Sequence, residues 1–207
     1  MEISQPFANL SEKLEGIKGL RSDGTYTAYP DNIGVWTLGY GHALVDATGH
    51  HIKTGEANVA ARCLAAIRAL GYGADSLTMA QVLDLKRRDF SGFARTVSPL
   101  LRTTTTQAQF DALVDFAYNV GSAGFAGSTL LRMHQAGAAL GTTNLSVIAA
   151  NSRAKAGIGN IGAAFAAWSN ADHQWSLGVF HRRMLEFLIY SGMDYNQAYS
   201  TAFAFRG

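Results

Sequence analysis

Residues 29–42, with the sequence YPDNIGVWTLGYGH, constrain the fold of this chain more than any other stretch. Proline, aspartate and asparagine followed closely by glycine, at 30–34, are typical of a tight turn. Aromatic and β-branched residues flank that turn on both sides, at 25–29 and at 35–40, which predicts the two strands of a β-hairpin. The carboxylate of Asp31 is therefore expected in the turn of a hairpin.

The second predicted strand has two unlike faces, because successive side chains of a strand point in opposite directions. Its bulky side chains share the packing face: Trp36, Leu38 and Tyr40. The other face carries the hydroxyl of Thr37 and then only backbone, at Gly39 and Gly41. Glycine leaves the backbone uncovered, so we expect a ligand to approach this face closely.

A second carboxylate, that of Glu15, lies sixteen positions before Asp31. Leu10, Leu14 and Ile17 recur three or four residues apart, which predicts a short helix that carries Glu15. A glycoside hydrolase needs one carboxylic acid to protonate the leaving oxygen and one carboxylate to activate water or attack the sugar. The predicted helix and turn together supply such a pair.

One pattern resembles the catalytic motif of the phage-type lysozymes, glycoside hydrolase family 24: Glu15-Gly16, then Tyr29-x-Asp31-x-x-Gly34-x-x-Thr37-x-Gly39-x-Gly41-His42. Further blocks that resemble the family follow in the family's order, at 109–114, 116–121, 127–131, 165–168 and 178–186. The interval from Glu15 to Asp31 is longer than is usual in the family, with 21–24 as the extra loop. The resemblance nevertheless covers nearly the whole chain.

The resemblance implies an α+β, lysozyme-like fold. A small N-terminal lobe with a β-hairpin or short antiparallel sheet is joined by a long helix to a larger, all-helical C-terminal lobe. We expect a single lysozyme domain over 1–207, with the α+β lobe at 13–75, the connecting helix at 76–98 and the helical lobe at 99–207.

Apolar spacing and helix-ending residues predict the remaining elements. A third strand is expected at 50–53. One helix, with its apolar face from Val59 to Leu70, is stopped by the glycines at 71 and 73, and a second helix ends at Pro99. Thr106 to Gln109 form a capping box that begins another helix. Shorter helices are predicted near 129–136, 144–151, 160–168 and 178–191.

The resemblance implies hydrolysis of the β-1,4 bond between N-acetylmuramic acid and N-acetylglucosamine in the glycan strands of peptidoglycan. Glu15 would be the general acid, with its pKa raised by partial burial. Asp31, with Thr37, would hold the attacking water or stabilise the charge on the sugar, and the anomeric carbon would be inverted. No cofactor and no metal are implied, and the pair His50-His51 lacks further ligands at metal spacing.

Other residues of the resembling blocks have supporting roles in the family. His42 is expected to support the site rather than to shuttle protons. Asn119 is either a helix C-cap or an amide that contacts sugar hydroxyls, with equal weight. In the family an arginine of the last long helix contacts the catalytic glutamate. Arg182 and Arg183 both qualify, since neighbours on a helix point about 100° apart, and we favour Arg182.

Several of these residues also have simpler interpretations. Asp31 could merely cap its turn, Thr37 could be an ordinary strand residue, and Asp23 is a spare carboxylate that could replace Asp31. The basic run Lys86-Arg87-Arg88 is expected on a solvated helix face. Core packing is the expected role of three tryptophans: Trp36, Trp168 and Trp175.

Two alternative functions remain open. A lytic transglycosylase would cut the same bond with Glu15 and the sugar's own hydroxyl, without Asp31. A non-catalytic wall-binding module would keep the lysozyme scaffold but not its chemistry.

The composition of the chain argues against several other classes of protein. The chain has 207 residues, 48% of them hydrophobic, and a net charge of +2, which is too weak a positive field to indicate nucleic-acid binding. Cys63 is the single cysteine, so no internal disulfide is possible. The first residues resemble no secretory signal, and no apolar run reaches transmembrane length. We therefore expect a monomer without a membrane anchor, made in the host cytoplasm, that acts on the periplasmic wall after release by a separate pore-forming or delivery system.

Overall fold

The computed structural model of the chain describes residues 1–14, 16–171 and 173–207. Glu15 and Asp172 lie outside the described residues, so the prediction that a helix carries Glu15 stays a prediction. The chain forms two compact units. We call Ser11–Asp89 the sheet unit, and Met1–Leu10 together with Phe90–Gly207 the helical unit. The lobe boundaries predicted from the sequence stay a prediction.

The sheet unit contains a three-stranded antiparallel sheet in the order β1-β2-β3. Its strands are β1 (Tyr29–Pro30), β2 (Trp36–Leu38) and β3 (His42–Ala43). Tyr29 pairs with Thr37 across the first hairpin, and Leu38 pairs with His42 across the second. The hairpin predicted from residues 25–40 is therefore present.

The strands are shorter than the sequence predicts. β2 ends at Leu38, because Gly39 and Gly41 have φ angles of 60° and 92° and so leave the extended conformation. The prediction of a third strand at 50–53 is wrong, since the third strand of the sheet is β3. Two isolated bridges take the place of the predicted strand: Val45 with His51, and Val35 with Lys53.

Three helices contribute to the sheet unit: α1 (Gln5–Leu14), α2 (Val59–Ile67) and α3 (Met79–Val97). α1 begins in the helical unit and ends in the sheet unit, whereas α3 begins in the sheet unit and ends in the helical unit. α2 buries Cys63 and Ile67 and continues into a π-helical turn at Arg68–Tyr72, where the positive φ of Gly71 confirms the predicted helix stop. Buried apolar residues of these elements form the core of the unit: Leu38, Leu44, Ile52, Ile67, Leu77, Val82 and Leu85.

Gly39, on the glycine face that follows β2, packs against α3. A Cβ atom added to Gly39 would lie 2.4 Å from Cγ1 of Val82, a side chain that is 1% exposed. The expectation that a ligand approaches this face is therefore wrong at Gly39, where glycine is needed for close packing. At Gly41, by contrast, no described neighbour would lie within 4 Å of an added Cβ.

In the described part of the chain, the helical unit contains the N-terminal part of α1, the C-terminal part of α3, seven further α-helices and one two-stranded sheet. The helices are α4 (Gln107–Val120), α5 (Ser122–Ala126), α6 (Thr129–Ala136), α7 (Leu145–Arg153), α8 (Ile161–Ala166), α9 (Leu177–Tyr190) and α10 (Tyr195–Ala204). The strands are β4 (Asn170–Ala171) and β5 (Gln174–Trp175). α9 contacts α4, α8 and α10, and its core face from Phe180 to Ile189 is buried between them.

Local sequence signals account for most of these helices. The capping box of α4 is present, with Thr106 and Gln109 each accepting from the other's backbone N–H. The predicted helices near 129–136, 144–151, 160–168 and 178–191 are confirmed as α6, α7, α8 and α9. The predictions missed α5, α10 and the β4–β5 hairpin. The small sheet and the predominance of helix confirm the predicted α+β class, and none of the described helices is long and apolar enough to cross a membrane.

A buried carboxylate ties the start of the chain to the helical unit. Asp111 of α4 is 0% exposed and accepts hydrogen bonds from the backbone N–H of Ser4 at 3.1 Å and from its hydroxyl at 2.5 Å. The hydroxyl of Tyr195 donates to the same carboxylate at 2.8 Å, and so does the amide of Gln107 at 2.8 Å. These donors satisfy a charge that would otherwise be costly to bury.

A buried histidine lies in the last turn of α6. Nδ1 of His134 is 2.7 Å from the hydroxyl of Tyr190, and its Nε2 is 2.9 Å from Oγ1 of Thr105. Burial, assisted by the positive charge of Arg102, lowers the pKa of His134 from 6.5 to about 4. The ring is therefore neutral at neutral pH.

We expect Gly39→Ala to destabilise the protein by about 2–4 kcal/mol, through left-handed backbone strain together with overlap with Val82. Gly49→Ala is the matched control, because Gly49 has a φ of 83° but no described neighbour within 4 Å of an added Cβ. It should cost about 1 kcal/mol, from backbone strain alone. Urea unfolding measures both. Equal losses for the two variants would contradict the packing role of Gly39.

We expect His134 to make the protein less stable as the pH falls from 6.5 to about 4. In this range the unfolded histidine binds a proton that the folded one does not, so the free energy of unfolding falls by about 3 kcal/mol in total. Urea unfolding at a series of pH values should show a shallower decline for His134→Gln than for the wild type. The exposed His51→Gln is the control, and an unchanged slope in His134→Gln would refute the assignment.

Candidate active site

Asp31 lies in the turn between β1 and β2 and is half-buried. Its Oδ1 accepts hydrogen bonds from the backbone N–H groups of Ile33 at 2.9 Å and Val35 at 2.8 Å. Within the described residues, Oδ2 receives no hydrogen bond. One oxygen therefore shapes the turn while the other remains available to a ligand, so a capping role and a chemical role are compatible.

Thr37 lies on β2, directly opposite Tyr29. Its side chain is 4% exposed, and its hydroxyl donates to the carbonyl of Tyr29 at 3.3 Å. A hydroxyl that donates one hydrogen bond keeps two lone pairs with which it can accept others. The hairpin therefore brings Thr37 and the turn that carries Asp31 into one local structure.

His42, the first residue of β3, contacts α3. Its Nδ1 lies 2.9 Å from both carboxylate oxygens of Asp89, with the two side chains 23% and 19% exposed. This contact joins the sheet to α3 inside the sheet unit. The geometry agrees with the predicted supporting role of His42, which stays a proposal.

The structure corrects the prediction for one residue of the basic run on α3. Arg87 and Arg88 are exposed, but Lys86 is only 4% exposed. Its ammonium donates to the backbone carbonyl of Ser11 at 2.6 Å and lies 4.4 Å from the centroid of the Tyr40 ring. Helical spacing indicates that Lys86 is buried, because position 86 lies four residues from both Val82 and Phe90, which face the apolar side.

The two adjacent arginines of α9 have different surroundings. Arg182 is 13% exposed and binds Asp115 of α4 with two hydrogen bonds, at 2.9 Å from Nη2 and 3.3 Å from Nε. Arg183 is 0% exposed, and its Nη2 donates to Oε1 of Glu186 at 2.5 Å. The Arg183 guanidinium also lies 4.8 Å from the centroid of the Phe116 ring. Sequence reasoning missed both Asp115 and Glu186 as partners.

Burial and neighbouring charges compete in setting the pKa values of this cluster. It raises the pKa of Glu186 well above the ordinary value, and the nearby charges of Arg183 and Arg182 offset that only in part. Burial also lowers the pKa of Arg183, against the attraction of Glu186. At Asp115 burial acts to raise the pKa, but the charge of Arg182 and hydrogen bonds outweigh it, so the pKa is lowered. The cluster therefore holds Asp115 as an anion.

Asn119 is exposed on α4, one residue before the last residue of that helix. The C-cap of α4 is Gly121, with a φ of 81°. The alternative that Asn119 caps the helix is therefore wrong. Its role as an amide that contacts sugar hydroxyls stays a proposal.

The predicted site residues fall into two groups. Asp31, Thr37 and His42 belong to the sheet unit, whereas Asn119 and the pair Arg182-Arg183 belong to the helical unit. Glu15 lies outside the described residues. Within the described ranges, no group of three or more His, Cys, Asp or Glu side chains is placed to hold a metal ion.

Solved structures identify the class of fold. An endolysin from Escherichia coli O157:H7 phage FAHEc1 aligns with a TM-score of 0.58 at 24% identity, over 92% of this chain and 93% of that one. The muramidase domain of SpmX from Asticaccaulis excentricus aligns with a TM-score of 0.56 at 21% identity, over 91% of this chain and 97% of that one. At these identities the likeness shows the fold, which is that of the lysozymes.

The sequence then identifies the family. The model of the family described as phage lysozyme matches residues 19–160. The chain belongs to the phage lysozyme family. The matched range includes Asp31, Thr37, His42 and Asn119, whereas Glu15 and the two arginines lie outside it.

Among known relatives, the endolysin of Bacillus phage PZA is 34% identical over 131 residues. The alignment covers 63% of this chain and 40% of that endolysin, so this chain spans less than half of its relative's length.

We expect Arg183→Met to cost about 3–5 kcal/mol of stability, because it leaves the buried carboxyl of Glu186 without its closest cation. Arg95→Met on the exposed side of α3 is the matched control and should change stability by no more than about 0.5 kcal/mol. Urea unfolding at pH 7 compares the two variants. If Arg183→Met were as stable as Arg95→Met, the ion pair would not be a determinant of the packing of α9.

Proposed function

We propose that this chain is a peptidoglycan hydrolase, an endolysin or another wall-attacking lysozyme. It cleaves the β-1,4 bond between N-acetylmuramic acid and N-acetylglucosamine in glycan strands. The observation that carries the proposal is the divided role of Asp31, whose Oδ1 is bonded to the turn while Oδ2 remains available. Membership of the phage lysozyme family supports it.

Glu15 is the proposed general acid. The sequence places it directly after Leu14, the last described residue of α1, and before the hairpin that carries Asp31. Its proton would pass to the glycosidic oxygen as the bond to the leaving sugar breaks, which is the role of the acid in every two-carboxylate glycosidase.

Asp31 is the proposed partner, and with Thr37 it would orient the attacking water. The carboxylate would accept a proton from that water while the Thr37 hydroxyl holds it from the neighbouring strand. The two hydrogen bonds that Oδ1 accepts from backbone N–H groups preorganise the carboxylate, so little reorganisation is needed during the reaction. Asp23, the spare carboxylate, instead accepts from the backbone N–H and the hydroxyl of Thr25 and is exposed.

The remaining predicted residues would support this chemistry. His42 would hold the sheet against α3 through Asp89, and Asn119 would offer its exposed amide to sugar hydroxyls. The choice of Arg182 over Arg183 as the arginine that acts with Glu15 stays a prediction of the sequence. The monomeric state and the route by which the protein reaches the wall stay predictions of the sequence.

We expect Glu15→Gln to fold normally and to lose activity by about 10²–10⁴-fold, the usual cost of removing a general acid. Glu12→Gln, on the same helix, is the matched control and should clear cells at the wild-type rate. Turbidity of permeabilised Gram-negative cells measures both variants. Wild-type clearing by a folded Glu15→Gln protein, or no clearing by the unmodified chain, would overturn the proposed function.

We expect hydrolysis with inversion, because a water between Asp31 and the sugar requires the wider carboxyl separation of about 6.5–9.5 Å. Proton NMR of freshly released product should show the α-anomer first, and Thr37→Val should lower turnover while changing stability by about 1 kcal/mol or less. A β-anomer appearing first would make Asp31 a nucleophile. An anhydro sugar, lighter by one water in mass spectrometry, would identify a lytic transglycosylase instead.

A further inference from the structure

Lys86 is the one lysine among the buried charged side chains in the described ranges. It lies on α3, where Val82, Leu85 and Phe90 are 1%, 3% and 4% exposed. An apolar residue would suit this face of the helix. Burying an ammonium group is costly unless it is paired, so the presence of lysine calls for a specific partner.

The described partner is the last turn of α1. The ammonium of Lys86 donates to the carbonyl of Ser11 at 2.6 Å, and Ser11 is itself 1% exposed. The carbonyl of Ser11 lies in the C-terminal turn of α1. A cation at a helix C-terminus also interacts favourably with the helix dipole. Lys86 therefore holds the C-terminal turn of α1 from the side, with the Tyr40 ring 4.4 Å from its charge.

Glu15 follows Ser11 by four positions in the sequence. If the helix carries Glu15, as the sequence predicts, this spacing places the two residues on one face, about 6 Å apart along the axis. We propose that Lys86 is a positioning residue for the general acid, which fixes the turn that leads into Glu15 and sets the ionisation of its carboxyl group. The inference rests on the proposed function of Glu15.

A positive charge beside a carboxyl group stabilises its ionised form. Lys86 would therefore set the upper pH at which Glu15 still holds the proton that it must donate. Other titratable groups of the surrounding elements are Glu12 and Lys13 on α1, Tyr40 and Tyr26, and the His42–Asp89 pair between β3 and α3. The tests below separate Glu15 from these groups.

The first test is the pH profile of kcat/KM for Lys86→Met, which keeps an unbranched apolar side chain and removes the charge. The alkaline limb of the profile should move up by about one pH unit. Arg87→Met removes the neighbouring exposed charge on the same helix and should leave the limb in place. A stable Lys86→Met protein with a wild-type alkaline limb would overturn the inference.

The second test needs no change at Lys86. The chain has five lysines, so the ammonium groups can be followed individually by NMR of ¹³Cε-labelled lysine. In Glu15→Gln the pKa of Lys86 should fall by about one unit relative to the wild type, because the group loses an anionic neighbour. Glu12→Gln is the control for the other carboxylate of α1, and Lys53 and Lys155 should not respond. An equal or larger response to Glu12→Gln would also overturn the inference.

The two proposals fail in distinguishable ways. If Glu15→Gln retained activity, the proposed function would be wrong whatever Lys86 does. Suppose instead that Glu15→Gln were inactive, that Lys86→Met kept the wild-type pH profile and that the pKa of Lys86 were unchanged in Glu15→Gln. Only the inference about Lys86 would then be wrong.

Discussion

The carboxylate of Asp31 holds the turn on which the small sheet depends. Two backbone N–H groups donate to one of its oxygens, and the paired strands on either side follow from that turn. An asparagine could accept the same two hydrogen bonds through its single carbonyl oxygen. The geometry of the turn therefore does not by itself require a carboxylate at position 31. What only a carboxylate adds is a second oxygen that shares the negative charge.

Ion pairs between buried side chains constrain the orientation of α9. Its two adjacent arginines point about 100° apart, so one reaches Asp115 on α4 while the other pairs with Glu186 on its own helix. Desolvation offsets most of the attraction within such buried pairs, so they add little net stability. A rotated α9 would, however, leave at least one buried charge unpaired, at a cost of about 3–5 kcal/mol. The cluster thereby selects one orientation of the helix among those that its apolar residues would permit.

The elements that the sequence predicted correctly are those whose determinants are local. Thr106 and Gln109, which form the capping box of α4, are three residues apart, and Gly71 directly follows the helical residues that it terminates. The information that determines both features therefore lies in residues that are neighbours in the sequence. Gly39 was misinterpreted because the atom that forbids a side chain there belongs to Val82, which is distant in sequence. The same holds for Asp115 and Glu186, whose importance lies in partners brought together by packing. The position of Lys86 on the apolar face of α3 follows from helical spacing, whereas its charge and its basic neighbours indicate a solvated face.

The candidate site was predictable to the extent that a resemblance supplied it. Asp31 and Thr37 lie in the predicted hairpin, yet nothing in the residues alone indicated that Oδ1 of Asp31 would be engaged by the turn and Oδ2 left available. The capping role of Asn119 is excluded by the length of α4, which extends to Val120 and is capped by Gly121.

The bonds between Ser4 and Asp111 have a consequence for the order in which the chain is made. The two residues are 107 positions apart, and the sheet unit lies entirely between them. At about 5–20 residues per second, the ribosome produces Asp111 roughly 5–20 s after Ser4. The contiguous sheet unit has been synthesised by then and leaves the ribosome before the segment that completes the helical unit, whereas the first ten residues must wait for that segment. Vectorial synthesis thus favours the sheet unit as the first part of this protein to become ordered.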